Sequence, residues 1–151
     1  MKKSSAFTLI EIVVTLAIIS VLLFASVPVF SGFLGALEMK GSARSIVADL
    51  RFAQEKAVTL RTTVTTYFKP KTLLGEPATY VVKSGSAASG KEKILKQVKF
   101  GSKFDFAEPV TIVFSKGGSP PAGGAGTVKL EYIGGRLMRI IISSAGRVRM
   151  E

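Results

Sequence analysis

Residues 6–30 read AFTLIEIVVTLAIISVLLFASVPVF. Glu11 is the sole charge in this stretch, and no other charged residue follows until Glu38. About 20 consecutive apolar residues suffice for a helix to cross the hydrocarbon core of a bilayer, so the run is long enough to span. Lys2 and Lys3 precede it, which by the positive-inside rule keeps the short N-terminal side in the cytoplasm and places the rest of the chain beyond the membrane. Three kinds of segment fit this pattern: a secretory signal peptide removed whole, a plain single-pass anchor, or a short leader cleaved ahead of an apolar run that stays on the mature chain. Glu11 near the start of the run, and the lack of a small-x-small site after it, weigh against the first. A carboxylate at the bilayer centre costs roughly 3 kcal/mol, so Glu11 either reaches the headgroups or meets a cation. Pro28 removes one backbone hydrogen bond and kinks the helix, with Gly32 and Gly35 softening the same region.

The six residues Ala6-Phe7-Thr8-Leu9-Ile10-Glu11 resemble the prepilin peptidase site of type IV pilins and pseudopilins. In that family a short basic leader ends in a small residue, usually Gly, where this chain has Ala6. The resemblance implies cleavage after Ala6, N-methylation of Phe7, and pairing of Glu11 with the N-terminal amine of a neighbouring subunit. Many pilins carry a proline at the place of Pro28. The implied partners are a prepilin peptidase, other pilins or pseudopilins in a filament, and the inner membrane. The C-terminal part of the chain is then periplasmic.

Beyond Glu38, Ala43, Ile46, Val47, Leu50, Ala53, Ala57 and Leu60 recur at three- and four-residue steps, one apolar stripe of a helix. Lys40, Arg44, Arg51, Gln54, Glu55, Lys56 and Arg61 occupy the other faces. No strong stop signal intervenes, so one helix is predicted from about Phe7 to about Arg61, apolar all round at first and one-sided later. From Thr62 the residues become β-branched and aromatic. Strands are predicted at 64–68, 79–83, 94–100, 110–114, 127–132, 137–142 and 147–150. Ile133-Gly134-Gly135 and Ser143-Ser144-Ala145-Gly146 suit tight turns. Residues 84–91 and 117–126 are longer breaks, the second a Pro- and Gly-rich surface loop. The expected class is α+β: a long N-terminal helix packed on an antiparallel sheet domain. The expected divisions are a leader at 1–6, a transmembrane and assembly helix at 7–30, its amphipathic continuation at 31–61, and a β-rich domain at 62–151. The stretches 42–58 and 113–149 resemble the GspH/FimT branch of the pseudopilins.

The 151-residue chain contains no His, no Cys and no Trp. Ser-His-Asp and Cys-His nucleophiles are thereby excluded, as are zinc sites of His and Cys and any disulfide framework. With 10 acidic residues in all, a hydrolase is disfavoured. The chain is expected to be no enzyme and to hold no cofactor or metal. Gly85-Ser86-Ala87-Ala88-Ser89-Gly90-Lys91 has P-loop spacing, but Glu92 stands where Ser or Thr would hold magnesium, and the following residues alternate like a strand. Asp105 and Glu108 form a close acid pair, too few oxygens for a calcium site.

The charge balance carries more information. The formal net charge is +11, or +9 once Lys2 and Lys3 are removed, a field that attracts polyanions. Lys91, Lys93, Lys96, Lys99 and Lys103 cluster in one region, and Arg136, Arg139, Arg147 and Arg149 in the last strands. Alternation puts Arg147 and Arg149 on one face, a two-pronged phosphate clamp. Gly146-Arg147-Val148-Arg149 resembles the Gly-Arg-x-Arg stretch with which some FimT-like minor pilins hold DNA. The same letters also describe a turn glycine and an edge strand blunted by arginines. Two functions are therefore expected: a structural subunit near the tip of a secretion pseudopilus or type IV pilus, or a DNA-binding pilus subunit of natural transformation. A secreted basic enzyme behind an ordinary signal peptide is the remote third.

Overall fold

The computed structural model describes residues 8–85 and 92–151. Ala6 and Phe7 lie outside the described residues, as do Ser86 to Lys91 of the P-loop-like stretch. The helix α1 runs Leu9–Thr59. The chain divides into two compact units, residues 1–38 and 39–151.

In the first unit Thr8 caps the helix. Its Oγ1 accepts the Glu11 N–H at 3.4 Å, which places Glu11 at the third helical position, where a carboxylate faces the positive end of the backbone dipole. From Leu9 to Ser26 the helix is long and apolar enough to cross a membrane, and none of it is buried. Its hydroxyls bond back to the helix: Thr15 to the carbonyls of Glu11 and Ile12, Ser20 to that of Leu16, Ser26 to that of Leu23. Such bonds satisfy polar groups without water, as a lipid environment requires.

In the second unit the helix becomes one-sided. Met39, Ala43, Ile46, Val47, Leu50, Ala53 and Ala57 are buried. The alanines leave room for the helix to lie close to the strands. Leu60, predicted to close the stripe, is instead half exposed, because the helix ends at Thr59 and Arg61 turns the chain at φ 48°.

Eight described strands follow: β1 (Val64–Lys69), β2 (Thr79–Ser84), β3 (Lys93–Lys99), β4 (Phe104–Phe106), β5 (Val110–Phe114), β6 (Gly126–Tyr132), β7 (Arg136–Ile142) and β8 (Val148–Met150). They form two four-stranded sheets, β3-β2-β1-β5 and β4-β6-β7-β8, antiparallel throughout. The class is α+β, as expected. The single expected sheet is two, and β4 lies outside the seven strands predicted from sequence. Three residues are too few to show alternation. The strand is identified only by its partners, Phe104 opposite Tyr132 and Phe106 opposite Leu130.

An aromatic chain joins the sheets. Phe68 meets Tyr80 at 5.4 Å between ring centroids and Phe106 at 5.2 Å. Phe100 lies 5.5 Å from Phe106 and 5.7 Å from Phe104, and Phe104 meets Tyr132 at 5.2 Å. Tilted and edge-on pairs at this spacing add to the area they bury.

Candidate functional site

The turn after β7 is built by Ser143, whose N–H donates to the Arg147 carbonyl at 3.0 Å and whose Oγ accepts the Arg147 N–H at 3.2 Å. Gly146 sits in that turn at φ 78°. A Cβ there would lie 2.8 Å from Gln54 Nε2 and 3.1 Å from the Gly118 carbonyl, so glycine is required by both backbone conformation and space. Gln54 Nε2 donates to the Gly118 carbonyl at 2.7 Å. Helix, loop 115–125 and turn 143–147 are thus locked at one point.

Around this point lies an open cleft of about 320 Å³ lined by Arg51, Gln54, Gly146, Arg147, Val148 and Arg149. Arg147 and Arg149 are exposed, and Val148, opposite Ile142, is half-buried between them. Arg147 precedes β8 rather than belonging to it. Arg51 completes a group of three guanidinium side chains on one cleft, contributed by the helix, the turn 143–147 and the last strand. Sequence spacing assigned Arg51 to a solvated helix face. Only the docking of α1 beside β8 makes it a neighbour of the pair.

The other arginines are placed differently. Arg139 is exposed, opposite Lys129 on one side and bonded through its backbone to Glu151 on the other. It lies two residues from Ile141, the partner of Arg149, so Arg139 and Arg149 are diagonal neighbours on one sheet face. Arg136 stands at the far end of β7, about 20 Å along the strand from the turn at the ordinary rise per residue. The predicted arginine set therefore divides into a cleft group, a flanking Arg139 and a remote Arg136.

The lysine run is divided too. Lys93, Lys96 and Lys99 lie on the edge strand β3, and Lys96 Nζ reaches Asp49 Oδ1 at 2.6 Å. The other Asp49 oxygen accepts the Tyr80 hydroxyl at 2.5 Å. Asp49 is buried, as is Tyr80. Burial, reinforced by the Asp49 carboxylate, pushes the Tyr80 hydroxyl well above its ordinary 10.0. Sequence reading missed Asp49, although its three- and four-residue spacing from Ile46 and Ala53 places an acid on the buried face.

Asp105 and Glu108 do not converge. Asp105 Oδ1 accepts the backbone N–H groups of Lys71 and Phe106, and Glu108 pairs with Lys129 at 2.9 Å. No group of three or more potential metal-ligating side chains occurs among the described residues. The P-loop-like stretch is followed by β3 and not by a helix, and Glu92 pairs with Lys83 at 2.8 Å.

Residues 42–146 match the family described as type II transport protein GspH, and residues 1–27 match the prokaryotic N-terminal methylation motif. No curated protein matches the sequence. Among solved structures, the fold is similar to that of the type IV minor pilin FimU of Pseudomonas aeruginosa in two crystal forms. The P21 form shares 20% identity over 79% of this chain and 92% of that chain, with a TM-score of 0.57. The P65 form shares 19% identity over 74% and 91%, with a TM-score of 0.53. At these identities the likeness is one of fold. The family match spans most of the chain: it belongs to the GspH family of type II transport proteins and carries its domain behind a prokaryotic N-terminal methylation motif.

Proposed function

We propose that the chain is a minor pseudopilin, a structural subunit placed near the tip of a type II secretion pseudopilus or type IV pilus. Prepilin peptidase cuts after Ala6 and Phe7 is N-methylated. Residues 7–30 hold the subunit in the inner membrane, N-terminus cytoplasmic and residues 62–151 periplasmic. The same helix then packs among other pilins, bent at Pro28, with Glu11 setting register. The observation that carries this reading is the methylation motif running directly into an exposed apolar helix whose hydroxyls are satisfied internally. Mass spectrometry of the mature chain tests it, with an N-methylated Phe7 terminus expected. A terminus near residue 36 overturns the reading in favour of a signal peptide. Gold labelling of Ala122→Cys on isolated filaments tests the position: label at ends supports the tip, and label along the length refutes it.

A second reading is favoured by the three-arginine cleft: the subunit holds DNA phosphates there. Arg51, Arg147 and Arg149 are the clamp, with Arg139 beside it on the sheet face. Titration of residues 37–151 with duplex DNA across salt concentrations checks this. Removing Arg147 and Arg149 together should weaken binding and flatten the salt slope by about 2. Equal binding by the double mutant leaves these residues as edge-strand arginines.

A further inference from the structure

The two ends of the second unit expose different residues. Val64 and Ser84 mark one end of the first sheet, and Lys69, Thr79 and Lys99 the other. Gly118 and Gly146, in loops of the first end, lie against Gln54 and Val58 near the C-terminus of α1. Tyr80, at the start of β2, reaches Asp49 instead. The loops beyond Lys69 and Thr79 therefore belong to the end nearer Met39, at which the chain enters the domain.

Three connections gather there: 70–78, 100–103 and 133–135. They are tied together by Lys71 N–H to Asp105 Oδ1 at 2.7 Å, Phe100 N–H to the Ala78 carbonyl at 2.8 Å, and Ile133 N–H to the Lys103 carbonyl at 2.9 Å. Their tips are aliphatic. Leu73 and Leu74 are 108% and 95% exposed, and Ile133 is 66% exposed. The leucines sit on a hydrogen-bonded turn, with the Gly75 N–H on the Thr72 carbonyl at 3.0 Å and the Thr72 N–H on that of Glu76 at 3.2 Å. The backbone thus holds the pair outward. Lys69, Lys71 and Lys99 are exposed beside them, and the acids towards this end are Glu76, Glu131, the backbone-bonded Asp105 and Glu108, which pairs with Lys129. Loops 115–125 and 143–147 at the opposite end hold Ser, Gly, Pro, Ala, Lys and Arg, and no large aliphatic residue.

We propose that the Leu73–Leu74 end of the domain docks on an anionic bilayer surface, the leucines entering the acyl boundary and Lys69 and Lys71 meeting headgroup phosphates. Aliphatic tips flanked by cations suit that boundary. A convex loop tip offers no packed core of the kind a protein interface needs, whereas lipid requires no matching shape. The inference rests on the reading of the apolar half of α1 as a membrane anchor. A tethered domain meets the bilayer at high effective concentration, so a small contact suffices.

The chain has no cysteine, so Leu74→Cys and Ala122→Cys each give one labelling site in the full-length protein. Each carries an environment-sensitive fluorophore in nanodiscs of phosphatidylethanolamine and phosphatidylglycerol with a lipid-borne quencher. The label at 74 should be quenched far more than that at 122. Adding Lys69→Gln and Lys71→Gln should lower the docked-to-undocked ratio by about 30-fold, at roughly 1 kcal/mol per lysine. Omitting phosphatidylglycerol should act in the same direction. Equal quenching at 74 and 122 in chains that co-purify with discs overturns the docking alone. Failure to co-purify overturns the anchor and the docking with it. Protection at 74 seen only with several chains per disc assigns the surface to a second copy and overturns the lipid assignment.

Discussion

The two halves of α1 are one helix with opposite solutions for its side chains. Met39 to Thr59 buries a stripe rich in alanine against strands of the same chain, while Leu9 to Ser26 exposes leucine, isoleucine and valine on every side. Each half carries an acid in an apolar setting. Asp49 receives Tyr80 and Lys96 from within the domain. Glu11 has the helix N-terminus, and in our proposal a neighbour's amine. The difference teaches that a charge in an apolar stretch is either satisfied by the fold or, as we propose for Glu11, left for an assembly to satisfy, and that sequence shows the second more readily than the first.

Breaking the comparison begins with its apolar side. Leu50→Ala should cost the domain about 3 kcal/mol in denaturant unfolding, because Leu50 is 1% exposed and the site cannot collapse onto nothing. Leu16→Ala, in the exposed half, should leave the same transition within about 0.5 kcal/mol. Equal losses would mean that the halves share one core.

The acids come next. Asp49→Ala strips the Tyr80 hydroxyl and Lys96 of their partner and should cost about 2 kcal/mol, softened because Lys96 is partly exposed. Glu11→Ala should leave domain unfolding unchanged and abolish recovery in filaments, read by immunoblot of sheared fractions. A smaller loss, about 1.5 kcal/mol, is expected for Gly146→Ala, from its positive φ and the contact with Gln54.

The Tyr80 environment sharpens the comparison by pH. The folded hydroxyl is held above 10.0, so the unfolded chain loses this proton first as pH rises. The stabilisation is fully present below about 10 and then falls by about 1.4 kcal/mol per pH unit, a component that Tyr80→Phe should lack. The smallest effect is expected at Lys129→Gln. Its exposed pair with Glu108 should be worth no more than about 0.5 kcal/mol, seen as a thermal midpoint within error of the parent.

Several of these residues were legible in sequence and others were not. The stripe from Ala43 to Ala57 and the bounds of β5 followed from periodicity, since a half-buried element must repeat its apolar residues at its own pitch. Leu60 misled because an apolar residue one step past a helix end continues the period without continuing the helix. Asp49 was overlooked because its partners lie 31 and 47 residues away. Residues 146–149 could be singled out by type, but their meeting with Arg51 could not, for the same reason of distance along the chain.

By itself the sequence determined the long helix, its apolar first half, the strand-rich remainder and the absence of histidine and cysteine chemistry. Those properties belong to residue type and short-range spacing, which the chain carries whether or not it has folded. Tertiary structure decided the division into two sheets, the pairing of β4, the enclosure of Asp49, the three-arginine cleft and the exposure of Leu73 and Leu74. Each of these depends on which distant segments become neighbours, and that is set by packing of the whole domain.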